Sequence, residues 1–142
     1  MSTSIVIIHR KPSYEEFAHI TAAVGFKEHP REAVQLALEN SWHCVCAVEN
    51  ESVVGVGRIV GDGGMHFYVT NVMVNPAHQR RGIGTQVVEA LVTAVKRVQY
   101  TTILLEALPL PGLEHFYAKL GFKAPKVYAP GMHLWLNGTR TP

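Results

Sequence analysis

The residues whose types and spacing are best suited to chemistry lie at positions 79–85, where the chain reads Gln-Arg-Arg-Gly-Ile-Gly-Thr. A strand-like apolar run, 67–74, precedes this segment and a helix-like run, 86–97, follows it. The start of a helix presents backbone N–H groups without intrahelical partners at the positive end of the helix dipole, and such an end binds phosphate oxygens. The segment therefore predicts a pyrophosphate site formed by Gln79, Arg80, Arg81, Gly82, Ile83, Gly84 and Thr85.

The two glycines distinguish this segment from other phosphate-binding turns. Gly82 and Gly84 omit Cβ where a diphosphate must approach the backbone, and the neighbouring arginines bring positive charge. A P-loop needs a Gly-Lys-Ser/Thr sequence that is missing here, and a dinucleotide fingerprint needs a third glycine where this chain has Val87. The spacing therefore disfavours a P-loop enzyme and a dinucleotide-dependent oxidoreductase.

The same segment resembles the Gln/Arg-x-x-Gly-x-Gly/Ala signature of the GCN5-related N-acetyltransferase family, whose loop receives the pyrophosphate of acetyl-coenzyme A. Residues 72–76, Val-Met-Val-Asn-Pro, resemble the central strand of that family and its exit, and residues 116–122 resemble its Phe-Tyr-x-x-x-Gly-Phe element. Weaker similarities at 24–26, 61–64 and 130–132 point to a short, single-domain member.

This resemblance implies a reaction and roles for individual residues. The expected reaction is direct attack of a neutral primary amine, from a small molecule or a peptide, on the thioester of acetyl-coenzyme A. If these residues have the roles of their counterparts in the family, Val72, Met73 and Val74 would contact the pantetheine arm. The Met73 N–H would polarise the thioester carbonyl. Tyr117 would act as general acid for the thiolate leaving group, because a phenol with an ordinary pKa is protonated at neutral pH.

The sequence departs from the family at two positions. Asn71 stands where many relatives carry an acidic residue, and Leu110 stands where many place an asparagine that bonds the pantetheine. The general base is consequently left open among Glu106, His66, Asp62 and a water chain. The alternative function is a non-catalytic acyl-coenzyme A sensor or partner-binding module, which the retained Tyr117 disfavours.

Length, composition and charge set further expectations. A chain of 142 residues that is 47% hydrophobic is expected to form one domain, 1–142. A formal charge of only +2 favours a small anionic ligand over nucleic acid. No apolar run approaches a membrane span and the first residues lack the pattern of a signal peptide, so we expect a cytoplasmic protein without a membrane partner. Eight scattered histidines and two cysteines, Cys44 and Cys46, predict core thiols and no metal site.

Hydrophobic periodicity predicts the elements that must position these residues. Strands are expected at 4–9, 42–48, 53–60, 65–74 and 101–105, and helices from Pro12 to Gly25, from Pro30 to Asn40, at 86–97 and at 113–120. A right-handed crossover makes the last two of these strands parallel. The expected fold is a mixed α/β sandwich, in which a mostly antiparallel sheet with a splayed parallel pair carries helices on both faces.

Two surface segments are expected to take part in binding, one at the acceptor cleft and one at a homodimer contact. Segment 24–31 is expected to overhang the acceptor cleft, which Phe26, Lys27, Glu28 and His29 could shape. A final hairpin of 122–127 with 133–136 is expected to pair across a two-fold axis and to form a homodimer through Val127, Tyr128, Trp135 and Leu136.

Overall fold

The computed structural model describes residues 4–98, 102–105, 112–123 and 134. Five strands form one sheet in the order β1-β2-β3-β4-β5. The first four are antiparallel neighbours, whereas β5 pairs with β4 in parallel. The predicted sheet, mostly antiparallel with one parallel pair, is confirmed. The strands are β1 Val6–Ile8, β2 His43–Glu49, β3 Ser52–Gly61, β4 His66–Val74 and β5 Thr102–Leu105.

Local sequence signals fix the ends of the helices. The first helix begins after Ser13, which forms a capping box with Glu16, and it ends at Gly25, whose φ is 76°. The helix after the phosphate segment begins at Ile83, three residues before its predicted start, because Gly82 adopts a φ of 77° as its N-cap. The helices are α1 Tyr14–Val24, α2 Arg31–Glu39, α3 Ile83–Lys96 and α4 Leu113–Lys119.

Helices cover both faces of the sheet, as predicted. On one face the buried side of α3 packs on β2, β3 and β4. A Cβ built on Gly57 of β3 would lie 2.6 Å from Val87 Cγ1 and 2.9 Å from Leu91 Cδ1, so this glycine lets α3 approach the sheet closely. On the other face α1 and α2 bury a second cluster with Cys46, Val53, Val56, Met73, Phe17, Ile20, Val34 and Leu38.

The two cysteines lie in β2 among these core residues, as predicted. Cys44 and Cys46 are both free and both buried. Burial raises the pKa of the Cys46 thiol to about 11, so it stays a neutral thiol at physiological pH. Their role is packing.

Strand β4 carries the irregularity on which the site depends. Met73 pairs with Val56 of β3, but the next pair joins Thr70 to Arg58, so two residues of β4 stand opposite Gly57. One of them, Asn71, has a φ of 52°. This β-bulge lies just beyond the parallel pairing with β5, which covers His66 to Val69 while β4 continues to Val74.

Three predictions fall where the structure gives no description. Glu106 and Leu110 lie outside the described residues. So do most of the predicted C-terminal hairpin and the four residues assigned to the homodimer contact.

Candidate active site

A cavity of about 440 Å³ lies where β4, the start of α3 and α4 come together. Every residue predicted to bind the coenzyme lines it except Met73 and Arg81, and Tyr117 lines it as well. The sequence had not singled out Leu113 for this site. The lining residues are Val72, Val74, Gln79, Arg80, Gly82, Ile83, Gly84, Thr85, Leu113, Phe116 and Tyr117.

The start of α3 offers the phosphate-binding geometry that the sequence predicts. The first intrahelical bond runs from the Gln86 N–H to the Gly82 carbonyl at 3.1 Å, so the preceding N–H groups of the first turn have no partner inside the helix. No side chain caps this end, and its first turn holds no acidic residue. A Cβ on Gly84 would project towards Phe116 and Val74, at 3.4 Å and 3.8 Å, and both of these residues line the cavity.

Two side chains of the loop before α3 bond to the sheet. The Gln79 amide donates to the Val74 carbonyl at 3.0 Å and so holds the loop against the end of β4. Arg81 Nη1 donates to Glu49 Oε1 at 3.2 Å, while its Nη2 contacts the other carboxylate oxygen. Glu49 is only 9% exposed, and its carboxylate raises the pKa of Arg81. The predicted contact of Arg81 with phosphate is therefore not supported by its side-chain position, whereas Arg80 does line the cavity.

The direction of the β4 backbone bears on the predicted role of Met73. The Asn75 N–H donates to the Val54 carbonyl of β3 at 2.8 Å. Because N–H groups alternate between the two edges of a strand, the Met73 N–H also faces β3, and those of Val72 and Val74 face the opposite edge. The geometry argues against Met73 as the carbonyl-polarising donor and favours Val72. The Met73 side chain is buried on the α1 face, with its Sδ 3.9 Å from Thr21 Oγ1.

Tyr117 is held in place by aromatic neighbours. Its ring meets those of Phe116 and Phe122 edge to face, with centroids 5.0 Å and 5.9 Å away. Helix α4 carries it to the cavity after Gly112, which has a φ of 82°. Burial raises the pKa of Tyr117 above its ordinary value, so the phenol is protonated at neutral pH and able to donate a proton.

The structure does not bring two of the candidate bases to this cavity. Asp62 Oδ1 accepts the N–H groups of Gly64, Met65 and His66 in the turn before β4, and these bonds hold the pKa of Asp62 well below its usual range. His66, 3.4 Å from the second carboxylate oxygen, starts β4. Val72 lies six positions further along the strand than His66, a distance of about 20 Å. The acid and the histidine stabilise the turn.

A second cavity, of about 220 Å³, lies on the other face of β4 between that strand and the two N-terminal helices. Three of the four residues predicted to shape an acceptor cleft line it, and Glu28 does not. Its lining consists of Phe17, Thr21, Phe26, Lys27, His29, Ala33, Val34, Ala37, Leu38, Arg58 and Asn71.

The sequence analysis missed Arg58, which is the half-buried cation of this second cavity. Its Nε donates to Asn71 Oδ1 at 2.7 Å and its Nη1 to Ser41 Oγ at 3.1 Å. Burial lowers the pKa of this guanidinium. The available signal was a single charged residue inside the apolar run Ser-Val-Val-Gly-Val-Gly-Arg-Ile-Val. Asn71 lines this cavity and the adjacent Val72 lines the first one, so the two cavities lie on either side of the bulge.

Two further observations concern the described residues alone. In this part of the chain no cluster of three His, Cys, Asp or Glu side chains could hold a metal ion. Over the same residues, no helix has the length and apolar character needed to cross a membrane.

Solved structures with the same arrangement come from several bacteria. An acetyltransferase of the GNAT family, SP0256 from Streptococcus pneumoniae TIGR4, is 27% identical with a TM-score of 0.80, covering 94% of this chain and 98% of that one. A protein of unknown function from meticillin-resistant Staphylococcus aureus, SA2161, is 24% identical with a TM-score of 0.83, covering 94% and 100%, and it shares the fold.

Sequence relatives come from algae and plants. The chain is 30% identical over 111 residues to the uncharacterized N-acetyltransferase ycf52 of Pyropia yezoensis, covering 75% of this chain and 63% of that protein. It is 34% identical over 109 residues to serotonin N-acetyltransferase 2, chloroplastic, of Oryza sativa subsp. japonica, covering 72% and 52%. The chain thus spans less than two thirds of the length of these relatives.

The family model described as the Acetyltransferase (GNAT) family matches residues 9–122, a range that holds strands β2 to β5, helices α1 to α4 and the residues lining both cavities. The phosphate loop, the bulged strand and the Phe-Tyr element lie within this range in the order that the sequence resemblance requires. This chain belongs to the GNAT family of acetyltransferases.

Proposed function

We propose that this protein transfers the acetyl group of acetyl-coenzyme A to a primary amine of a small molecule or peptide. One observation carries the proposal: a single cavity is lined by the uncapped start of α3, by Val72 on the edge of β4 that faces away from β3, and by Tyr117. These three features would supply a phosphate site, an amide donor and a proton donor, and the reaction needs one of each.

Donor binding would use mainly backbone groups. The N–H groups of the first turn of α3 would receive the pyrophosphate, with Arg80 alongside. The pantetheine arm would lie along the edge of β4, where Val72 and Val74 turn their backbone polar groups away from β3. Gly82 and Gly84 keep side chains out of this path.

The chemical step follows from these positions. A neutral amine on the acceptor side attacks the thioester carbonyl carbon, and the Val72 N–H donates to the oxygen that becomes negative in the tetrahedral intermediate. When the C–S bond breaks, the sulfur takes the phenolic proton of Tyr117. The nitrogen releases its proton to water. The products are the acetylated amine and coenzyme A, and Tyr117 regains its proton from solvent.

A second function, a non-catalytic acyl-coenzyme A sensor or partner-binding module, is favoured by one observation. Among the described residues that line the two cavities there is no carboxylate, and the amide oxygen of Asn71 accepts from Arg58. A sensor needs the phosphate site but neither an acceptor cavity nor a phenol beside the sulfur. The 220 Å³ cavity and Tyr117 together support the enzyme.

A titration followed by a turnover assay tests the proposal. Thermal unfolding is recorded with acetyl-coenzyme A, coenzyme A and NAD, because a ligand at 100 times its Kd adds about 2.7 kcal/mol to the free energy of unfolding. Coenzyme A release is then measured with a panel of amines that includes serotonin, polyamines, amino acids and peptides. Stabilisation by the coenzymes with turnover of an amine supports the enzyme, stabilisation without any turnover supports the sensor, and no stabilisation contradicts both.

Three expectations stay predictions: the single domain 1–142, the homodimer and the cytoplasmic location. Two relatives carry the word chloroplastic in their names, which is a property of those proteins. Light scattering after size exclusion checks the assembly, and only the monomer mass of 15.7 kDa at micromolar concentration would contradict the dimer.

A further inference from the structure

We propose that the acceptor amine carries an anionic group, a carboxylate or a phosphate, and that Arg58 binds this group in the second cavity. The inference rests on the proposed function, because it names the substrate class of that reaction. Three features of the cavity support it: the sign of its charges, the partners of Arg58 and its place beside the bulge.

The first feature is that the charge of the cavity has one sign. Among the described residues that line it, the titratable or charged side chains are Lys27, His29 and Arg58, and none is Asp or Glu. A concave surface with charge of one sign concentrates ligands of the opposite sign. Polyamines and aminoglycosides, which keep further positive charges away from the reacting amine, would be repelled here. An amine that also bears an anion would be attracted.

The second feature is that the hydrogen-bond partners of Arg58 among the described residues are all neutral. Its bonds go to Asn71 Oδ1, to Ser41 Oγ at 3.1 Å and to the Ala37 carbonyl at 3.5 Å. Within the described part of the chain these bonds use Nε and Nη1, which leaves the Nη2 donors for a ligand. Three other arginines contact carboxylates instead: Arg10 with Glu16, Arg31 with Glu15 and Arg81 with Glu49.

A half-buried guanidinium without a carboxylate is costly unless something else supplies the negative charge, since removing a charge from water needs compensation. Arg58 is the arginine whose pKa burial lowers, whereas a carboxylate raises those of Arg10 and Arg81. The planar guanidinium matches carboxylate and phosphate geometry with two parallel bonds. The anion of a bound substrate would complete this site.

The third feature is the position of Arg58 relative to the proposed reaction. Arg58 pairs with Thr70 of β4 and bonds to Asn71, the first residue of the bulge. The next residue, Val72, lines the first cavity, where the coenzyme is proposed to bind. An anion held by Arg58 would therefore fix one end of the acceptor beside the strand along which the thioester is proposed to lie.

A purely structural role for Arg58 makes a different prediction. Its bonds to Ala37 and Ser41 also hold the C-terminal end of α2 against the sheet. Loss of a structural arginine would weaken every activity of the protein equally. Loss of an anion-binding arginine would weaken only the use of anionic acceptors, so the readout must be a ratio of substrates.

The experiment compares pairs of amines that differ in one anionic group: phenylalanine with phenethylamine, lysine with cadaverine, and phosphoethanolamine with ethanolamine. We measure kcat/KM for each at saturating acetyl-coenzyme A in wild type, Arg58→Gln and Arg58→Lys, with Arg31→Gln as the matched control. We expect the anionic member of at least one pair to be preferred about tenfold or more, the size of one charge-assisted contact. The first two pairs identify a carboxylate and the third a phosphate.

In Arg58→Gln the preference should fall to near one through a higher KM for the anionic member, with the KM for acetyl-coenzyme A unchanged. Arg58→Lys should keep part of the preference, and Arg31→Gln should keep all of it. A preference for the amines without the anion, or an equal loss for both members in Arg58→Gln, would overturn the inference.

If acetyl-coenzyme A binds but no amine is turned over, the proposed function fails and the inference is decided by binding. Ligand-observed NMR then compares the same pairs on the coenzyme A-bound protein. Binding of an anionic member that is lost in Arg58→Gln supports the inference. Equal binding of both members, or no binding of any anionic member, contradicts it.

Discussion

The two cavities flank the same bulge of β4, but they are built in opposite ways. The first cavity, proposed to bind the coenzyme, takes most of its lining from the loop before α3 and from the first turn of that helix. Its polar chemistry lies largely in backbone groups. The second cavity, proposed to bind the acceptor, takes its lining from α1, α2, the segment between them, β3 and β4, and its polar chemistry lies in side chains such as Arg58. Under the proposed function, the difference implies that the backbone recognises the coenzyme and that side chains recognise the acceptor amine.

The difference also predicts how each cavity responds to amino-acid substitution. A backbone site is sensitive at positions where the backbone conformation itself depends on the residue, above all at glycines with positive φ. A side-chain site is sensitive at the individual group that contacts the ligand. Substitutions can therefore disable one cavity while leaving the other intact.

The largest effect is expected at Tyr117, the side chain that acts on the coenzyme side. Tyr117→Phe keeps the ring contacts with Phe116 and Phe122 and removes the proton donor. We expect kcat to fall about 100-fold, the usual range for a lost general acid, with acetyl-coenzyme A affinity near that of wild type. Tyr14→Phe is the matched control, because Tyr14 lies in α1 and lines neither cavity. Unchanged turnover in Tyr117→Phe would exclude the acid role.

The next effect separates backbone strain from ligand binding with two matched glycines. Gly82 and Gly25 have φ values of 77° and 76°, and a Cβ on either would meet no atom within 4 Å. Alanine at either position should therefore cost a similar 1–2 kcal/mol of unfolding free energy, roughly the penalty for a left-handed L-residue. Only Gly82→Ala should also weaken acetyl-coenzyme A binding, measured by calorimetry. Equal binding by both variants would contradict the phosphate site at α3.

A pH profile sharpens the assignment of Tyr117. Burial raises the pKa of Tyr117, so its phenol loses its proton at a higher pH than an ordinary tyrosine does. We expect the contribution of proton donation by Tyr117 to the wild-type kcat to persist up to about pH 10 and to fall above that value. Tyr117→Phe should lack this fall. A Tyr117-dependent fall near pH 8 would contradict a phenol with a raised pKa.

The smallest effect concerns Glu16, at the start of the helix that forms one wall of the acceptor cavity. Bonds from Arg10 and from the Ser13 backbone lower the pKa of Glu16 to about 2. Because the folded pKa is lower than the unfolded one, the stabilisation is full above about pH 4.5 and is lost as the pH falls towards 2.

Glu16→Gln should flatten the change of Tm between pH 5 and pH 2, with a modest decrease of Tm at pH 7. The ion pair is partly exposed, so solvent and salt screen it. Glu32→Gln, in the first turn of α2, is the control. An unchanged acid transition in Glu16→Gln would show that this carboxylate does not govern it.

Much of the fold could be predicted because its signals are local. The capping box of Ser13 and Glu16, the positive φ of Gly25 and the continuous apolar runs of β2 and β3 act within a few residues of chain. The start of α3 was predicted three residues late, because apolar periodicity begins inside a helix whose first turn is defined by its N-cap.

The candidate site also has one part that local sequence signals predict and one part that they do not. The contacts of Gln79, Gly82 and Gly84 with one cavity followed from the loop motif. The acceptor cavity could not be assembled in this way, because Phe17 and Asn71 come from elements that only the sheet brings together. Arg58 was overlooked, since a charged residue in a strand does not reveal its partners.

By itself, the sequence determined the phosphate loop, the caps and the Phe-Tyr element, because each depends on residues within a short continuous segment, 79–85 and 116–122 being the longest. The tertiary structure decided three other matters. It turned the Met73 N–H towards β3, it paired Arg81 with Glu49, 32 positions away in the chain, and it placed Arg58 in a cavity whose described lining residues include no carboxylate. All three depend on which strands and helices become neighbours, and that is settled only when the sheet and its two helical layers pack.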